Sequence, residues 1–216
     1  MSQVERAEYD RRWDNEGYSA EGIGYTPNFL GFMRRHLSGE SGREALEVGC
    51  GDGFFSRALS DLGFRVTGID LSEVGIRKAK EHCPSGRFMV ADLTQPMPFE
   101  PNSFDAVWCS EVLEHLFSPL YVLEEMSRVL KPGGLALLTT PYHGLLKNLA
   151  IAMFAFDKHY DPEYPHIRFF TKRTLTGLVR KAGLELVEVG HCGSQLGIRD
   201  VLFPTNLLVA ARRPKS

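Results

Sequence analysis

The sequence predicts an α/β fold in which helices cover both faces of an open, doubly wound, mostly parallel sheet. Three observations lead there. Short aliphatic or β-branched runs alternate with segments of helical periodicity along most of the chain. The first such run leads through a glycine-rich turn, Gly49-Cys50-Gly51-Asp52-Gly53, into a helix-like segment. The next two runs end at single acidic residues, Asp70 and Asp92, at the strand ends where open α/β sheets bind ligands.

The elements follow in order. Residues 45–48 read as the first strand and 54–62 as the helix behind it. Residues 64–69 form the second strand, and Ser72 caps a helix running to about His82. Residues 87–90 are the third strand. The fourth, 103–109, carries Phe104, Ala106, Val107 and Trp108 and is expected to be buried on both faces. Ser118 caps a helix through Leu130 with Pro119 at its first position, where the missing N–H costs nothing. Lys131-Pro132-Gly133-Gly134 stops that helix and turns the chain into a fifth strand at 135–140. A helix over 171–182 then precedes strands at 184–189 and 207–211, near enough in sequence to pair antiparallel.

Two segments break the rhythm. Residues 1–43 precede the first strand and carry Tyr9, Trp13, Tyr18 and Tyr25. Residues 141–170 leave the fifth strand at its ligand-binding edge and are rich in aromatics and histidine. The first is expected to be a lid or helical extension. The second is expected to be an acceptor-side insert within a single domain over 44–216.

The bulk numbers agree with one soluble domain. The 216 residues are 43% hydrophobic and 24% charged, so a sizeable core forms without a staple. A net charge of −2, from 25 basic and 27 acidic residues, gives no general drive toward nucleic acid or anionic lipid. Cys50, Cys83, Cys109 and Cys192 are widely spaced with no CxxC pair, as expected of thiols in a reducing compartment. Residues 1–14 lack a signal-peptide pattern, and the longest apolar stretch, 149–156, is too short to span a bilayer. The expected location is cytoplasmic.

The glycine turn is the strongest chemical signal. Glycines at alternate positions let a ligand approach the backbone, which suits a nucleotide loop of some kind. Dinucleotide enzymes place the third glycine three residues after the second; here Gly51 and Gly53 are two apart, with Glu47 ahead of them. Asp70 follows Gly53 by 17 residues and can accept both hydrogen bonds from a ribose diol, though a helix N-cap is its plainer reading. Asp92, in Ala91-Asp92-Leu93, would by itself be an ordinary turn residue.

Together these features resemble the class I S-adenosylmethionine-dependent methyltransferases. Glu47–Gly53 is similar to their motif I, and Phe104-Asp105-Ala106-Val107 and Leu130–Gly134 resemble their signatures at strands four and five. The resemblance implies a Rossmann-like sheet of seven strands, one of them antiparallel. It also implies S-adenosylmethionine as cofactor, with Asp92 near the adenine amino group and Leu93 beside the ring. The expected cofactor set is Glu47, Gly49, Cys50, Gly51, Gly53, Asp70, Leu71, Asp92, Leu93 and Ser110.

The acceptor side rests on Ser110-Glu111-Val112-Leu113-Glu114-His115. This segment resembles the Glu-x-x-Glu-His stretch of the ubiquinone-biosynthesis O-methyltransferases and of small-RNA 3′-terminal ribose methyltransferases. The resemblance implies a magnesium-like ion held by Glu111, Glu114 and His115, and His166 is the further candidate ligand. A purely structural or cofactor-lining role for the segment stands beside that reading.

His143, His166 and His115 are the candidate proton acceptors, an imidazole being suited to neutral pH. His36, His82, His159 and His191 read as surface or structural. The apolar run at Leu145, Leu146, Leu149, Ile151, Met153, Phe154 and Phe156 is expected to be core or lid. A dimer face and a peripheral membrane contact stay open, as does the choice between monomer and homodimer.

The leading expectation is methylation, on oxygen, of a small ring-shaped metabolite that is quinone-, phenol- or sugar-like. RNA ribose 2′-O methylation is the alternative. It lacks a basic arm, since Arg34-Arg35-His36 and Arg77-Lys78-Ala79-Lys80 read as solvated helix faces. A non-catalytic cofactor-binding scaffold is the third reading, and the intact glycine loop and acidic residues weigh against it.

Overall fold

The computed structural model describes residues 10–11, 13–14, 20–39, 42–161, 166–193 and 204–215. Tyr9, Tyr18, Tyr164 and Pro165 lie outside them. The elements are α1 (Thr26–Leu37), β1 (Glu44–Val48), α2 (Phe54–Asp61), β2 (Arg65–Asp70), α3 (Glu73–His82), β3 (Arg87–Val90) and β4 (Phe104–Ser110). A 3-10 turn (Leu113–His115) follows, then α4 (Pro119–Val129), β5 (Leu130–Pro141), α5 (Leu145–Phe154), α6 (Phe156–His159), α7 (Lys172–Lys181), β6 (Glu185–Cys192) and β7 (Asn206–Arg212).

The strands form one seven-stranded sheet in the order β3-β2-β1-β4-β5-β7-β6. All run parallel except β7, which pairs antiparallel with both β5 and β6. The strand order reverses between β1 and β4, so a crevice opens beyond their carboxyl ends.

Both faces of the sheet are covered because successive strand residues point to opposite sides. Leu46, Val48, Val107 and Cys109 face α4 and α7, packing with Leu123, Met126, Leu175 and Val179. Ala45, Ala106 and Trp108 face the other way, against Phe29, Phe32 and Met33 of α1 and Phe55 of α2. Residues 26–37, expected within a lid, are therefore a core layer: their helix buries Phe29, Phe32, Met33 and Leu37. Trp13 and its described neighbours, ahead of this helix, remain available to cover a ligand.

The local signals act unevenly. Ser72 caps α3 as expected, its hydroxyl accepting from the Gly75 N–H at 3.0 Å. Ser118 occupies the N-cap of α4 but makes no side-chain capping bond, so Pro119 alone marks that start. Lys131–Gly134 does not separate helix from strand. β5 begins at Leu130, and the segment bulges within it, with Phe104 opposite Leu130 and Ala106 already opposite Leu135. Gly133, at φ 83°, supplies the left-handed residue this bulge requires. Thr171 and Thr174 form a reciprocal cap on α7, each hydroxyl accepting from the other residue's N–H. Thr171→Ala removes half of it and is expected to lower stability by about 1 kcal/mol. A reduced denaturant midpoint at unchanged m-value would report that loss.

The apolar run of the insert is not core. Leu145 is 83% exposed, Leu149 53% and Met153 58%, whereas Ile151 alone of α5 is buried. Its two polar residues, Lys147 and Asn148, are half-buried, so polarity does not mark the outer face of this helix. Among the described residues no helix is long and apolar enough to cross a membrane, and the four cysteines form no disulfide.

Candidate active site

At the carboxyl end of β1 the chain turns through Gly49, Gly51 and Gly53, all at positive φ. The Gly49 and Cys50 N–H groups donate to the Ile69 carbonyl at 2.8 and 3.0 Å, fastening the loop to β2. The Gly51 N–H donates to Asp70 Oδ2 at 2.9 Å, and the Ser72 N–H to Oδ1 at 2.8 Å. Backbone N–H groups thus act on a carboxylate with about four acceptor sites, which leaves capacity for a ligand. Burial pushes this carboxyl above the ordinary aspartate range, while the N–H groups of Ser72, Gly51 and Leu71 pull it back.

The loop borders a cavity of about 230 Å³. Glu47, Gly49, Cys50, Gly51, Asp70, Leu71, Asp92, Leu93 and Ser110 line it. Gly53 does not: it sits at the N-cap of α2, and a Cβ there would lie 2.8 Å from Ala79 Cα. Its role is to let α2 pass close to α3. Glu47 is buried and accepts a hydrogen bond from the Ser56 hydroxyl. Burial raises its carboxyl well above the usual range, Ser56 opposes that, and Asp52 and Asp70 add to it. A cationic group of a ligand would relieve this crowding of buried acids.

Residues ahead of α1 cover the loop. The Trp13 indole lies so near Gly51 that a Cβ there would be 2.3 Å from its ring, and Trp13 also lines the cavity. This segment is tied to α3. Lys78 Nζ donates to the Trp13 carbonyl, Asp10 accepts from the Ser72 hydroxyl and Arg77 lies 3.7 Å from Asp14. Of the Arg77–Lys80 cluster, Arg77 and Lys78 thus help to hold the cover, while Lys80 is exposed.

At the other end of the cavity, β4 runs into Ser110-Glu111. Glu111 has φ 54°, a strained value for a non-glycine residue, and it lines the cavity. Thr139 Oγ1 donates to its Oε1 and Asn206 Nδ2 to its Oε2, each at 2.9 Å. Burial lifts its carboxyl to about 7 against the pull of those two donors and of Lys147.

Glu114 is fully buried. Its Oε2 accepts from Thr140 Oγ1 at 3.0 Å, and its Oε1 has no hydrogen-bond partner among the described residues. His115 Nε2 and His166 Nε2 each lie 3.9 Å from that oxygen. The three ligand atoms fall within 4.8 Å of one another. Backbone bonds assemble them: the Ile167 and Arg168 N–H groups donate to the Glu114 carbonyl at 2.9 and 3.0 Å. Burial, then the Glu111 carboxylate, raises the Glu114 carboxyl, whereas burial and the neighbouring His115 bring His166 down to about 4. Neutral imidazoles suit a cation, which would also have to displace the proton that burial favours on Glu114.

Of the expected acceptor-side residues, the structure gathers Glu114, His115 and His166. Glu111 stands outside that cluster with both oxygens engaged. His143 stands apart from the cavity wall: it is 3% exposed, lies 3.2 Å from Asn148 Oδ1 and packs edge-on to Phe169. Burial foremost brings its imidazole to about 4. The bridge between Tyr142 and Phe170 folds the chain inward directly after β5, which puts His143 beneath the insert. His159, read as structural, packs 5.3 Å from the His143 ring. Sequence reasoning missed Thr139, Thr140 and Asn206, which orient the two glutamates. The threonine pair ending an apolar strand was a readable signal; Asn206 reaches Glu111 only through the pairing of β7.

Comparison with known proteins agrees with this geometry. A family model described as a methyltransferase domain matches residues 46–138. The ubiquinone biosynthesis O-methyltransferase of Burkholderia vietnamiensis is 33% identical, over 94% of this chain and 92% of that protein. The protein of the same name from Idiomarina loihiensis is 30% identical over 95% and 89%. Among solved structures, an S-adenosylmethionine-dependent methyltransferase from Mesorhizobium loti aligns with a TM-score of 0.71 at 21% identity, over 90% of this chain and all of that one. Phosphoethanolamine N-methyltransferase 2 of Haemonchus contortus, bound to S-adenosyl-L-methionine, aligns at 0.68 and 19% identity, over 95% and 60%. These two likenesses are of fold.

Proposed function

The chain belongs to the S-adenosylmethionine-dependent methyltransferases, in the family of the ubiquinone biosynthesis O-methyltransferases, and on that premise we propose that it methylates a hydroxyl oxygen of a ring-shaped, quinone- or phenol-like small molecule. The observation that carries the reading is the 33% identity to such an enzyme across nearly the whole of both chains. The cavity supports it: a nucleotide-type loop forms one end and the Glu111–His115 segment the other.

In this reading Asp70 accepts from the ribose hydroxyls and Glu47 faces the ammonium of the methionine group. Asp92 and Leu93 border the adenine, while Gly49 and Gly51 make room for Val112 and for the Trp13 ring. The donor is already activated, so alignment and exclusion of water supply much of the acceleration. Trp13, placed over Gly51, serves to exclude water. Glu114, His115 and His166 would hold a divalent ion such as Mg2+, because a buried carboxylate oxygen without a partner faces two imidazole nitrogens. Such an ion lowers the pKa of a hydroxyl bound to it. Thr140 fixes the second Glu114 oxygen, and the Glu114 carbonyl holds the segment that carries His166.

The test is turnover with S-adenosylmethionine and a catechol, with the new methyl located by NMR. Transfer to oxygen is expected; transfer to nitrogen or carbon, or none to any ring hydroxyl, overturns the proposal. Glu114→Gln is expected to weaken Mn2+ binding, read by electron paramagnetic resonance, by about a hundredfold. Chelation should lower the rate in parallel. Unchanged ion binding and unchanged rate together would remove the metal from the scheme.

A further inference from the structure

Ser72 and Gly51 each touch both Asp70 and the segment that covers the glycine loop. The Ser72 N–H donates to Asp70 Oδ1 at 2.8 Å, while its hydroxyl donates to Asp10 Oδ1. That hydroxyl also accepts from the Gly75 N–H, and Ser72 is fully buried, so water does not compete for these bonds. The Gly51 N–H donates to Asp70 Oδ2 at 2.9 Å, and the Trp13 ring lies against Gly51 on the side where a Cβ would stand. Each Asp70 oxygen is therefore joined to the cover through a single residue, one leading to Asp10 and the other to Trp13.

The other bonds of this segment run to α3. Asp10 Oδ1 also accepts from the Val74 N–H at 3.3 Å, Lys78 Nζ donates to the Trp13 carbonyl, and Asp14 lies 3.7 Å from Arg77. Asp10 thus sits on the first turn of α3, where unpaired N–H groups and the helix dipole favour a carboxylate. These polar bonds to one helix can break while the sheet stays intact, whereas α1 is fixed by its buried Phe29, Phe32 and Met33. Trp13 lines the cavity together with Cys50, Gly51 and Asp70. A donor held by Asp70 shares that cavity with the indole.

We propose that Asp10 and Trp13 form a latch that retains the methyl donor: Trp13 touches the bound S-adenosyl ligand, and Asp10, through Ser72, is the positioning residue that holds Trp13 over it. A ligand on Asp70 settles Ser72 and Gly51, the two residues to which the cover is attached, so occupation of the site tightens the latch. Its opening then governs how fast the spent cofactor leaves. The latch acts on the donor alone and is independent of which acceptor atom is methylated.

Surface plasmon resonance of the immobilised full chain with S-adenosylhomocysteine gives both rate constants. Trp13→Ala is expected to speed dissociation by about tenfold without slowing association, since lost contacts act mainly on the off-rate. Trp13→Phe, which keeps a ring, should fall between parent and alanine. Asp10→Ala should speed dissociation by about fivefold, and Asp10→Asn, which keeps an acceptor oxygen, should stay within about twofold of the parent. The double variant Asp10→Ala/Trp13→Ala should release the ligand no faster than Trp13→Ala alone, because Asp10 acts through Trp13. Full binding stoichiometry in each variant shows that it is folded. Dissociation unchanged in both Trp13 variants, or additive effects of the two alanine substitutions, overturns the proposal. The readout contains no acceptor, so these rates stand whether or not ring hydroxyls prove to be methylated.

Discussion

Replacing Asp70 with alanine is expected to weaken S-adenosylhomocysteine binding by about a hundredfold. The carboxylate already orders the site by accepting from the Gly51 and Ser72 N–H groups, and Asp70 lines the cavity. Two hydrogen bonds from a ribose diol to a charged acceptor are together worth about 3 kcal/mol, roughly two powers of ten in Kd. The substitution also leaves two backbone N–H groups without their acceptor, so the empty protein should melt earlier as well. Asp70→Asn, which keeps one acceptor oxygen, should fall between parent and alanine. Calorimetric titration reads the affinities directly; an alanine variant within about threefold of the parent would remove Asp70 from the cofactor site.

Gly53→Ala should produce the largest loss of stability among single methyl additions in the glycine loop that leave the cavity untouched. At φ 81° an L-residue is strained by about 1–2 kcal/mol. The new Cβ would stand 2.8 Å from Ala79 Cα and 2.9 Å from its Cβ, so α2 and α3 must separate. Overpacking of that kind adds about 1–3 kcal/mol. The sum, near 3 kcal/mol, corresponds to a Tm lower by about 6–12 °C in a chain of this size. Gly177 in α7 is the control: a Cβ there meets nothing within 4 Å and its φ is not left-handed. Gly177→Ala should raise stability by about 0.5–1 kcal/mol. Equal melting of both variants would mean that Gly53 is not the close-packing point it is taken to be.

These two residues also mark how far sequence reasoning reached. Asp70 was legible because strand, acidic end and capping serine are contiguous, and each signal is local. Gly53 was legible as a loop glycine but not in its role, since Ala79, the residue it must avoid, lies on the next helix. The seven strands and the antiparallel pairing of the last two were readable from periodicity and from the resemblance. Burial of the insert was not: α5 has only Lys147 and Asn148 as polar residues, and they are half-buried while its leucines face outward. Glu114, His115 and His166 were named in advance, but their convergence depends on backbone bonds from Ile167 and Arg168 to the Glu114 carbonyl.

The place of β7 has a consequence for the order in which the chain becomes functional. It lies between β5 and β6, and among the described residues β6 has no other neighbour in the sheet. On a growing polypeptide, residues 185–192 therefore emerge before the strand they pair with exists. Asn206, at the start of β7, is also one of the two donors that hold Glu111 in its strained conformation. The nucleotide half, β1 to β4, can gather while synthesis continues, since parallel neighbours with their helices are already present. The acceptor half cannot. During its own biosynthesis the molecule can assemble a seat for the methyl donor before it has a finished place for anything to be methylated.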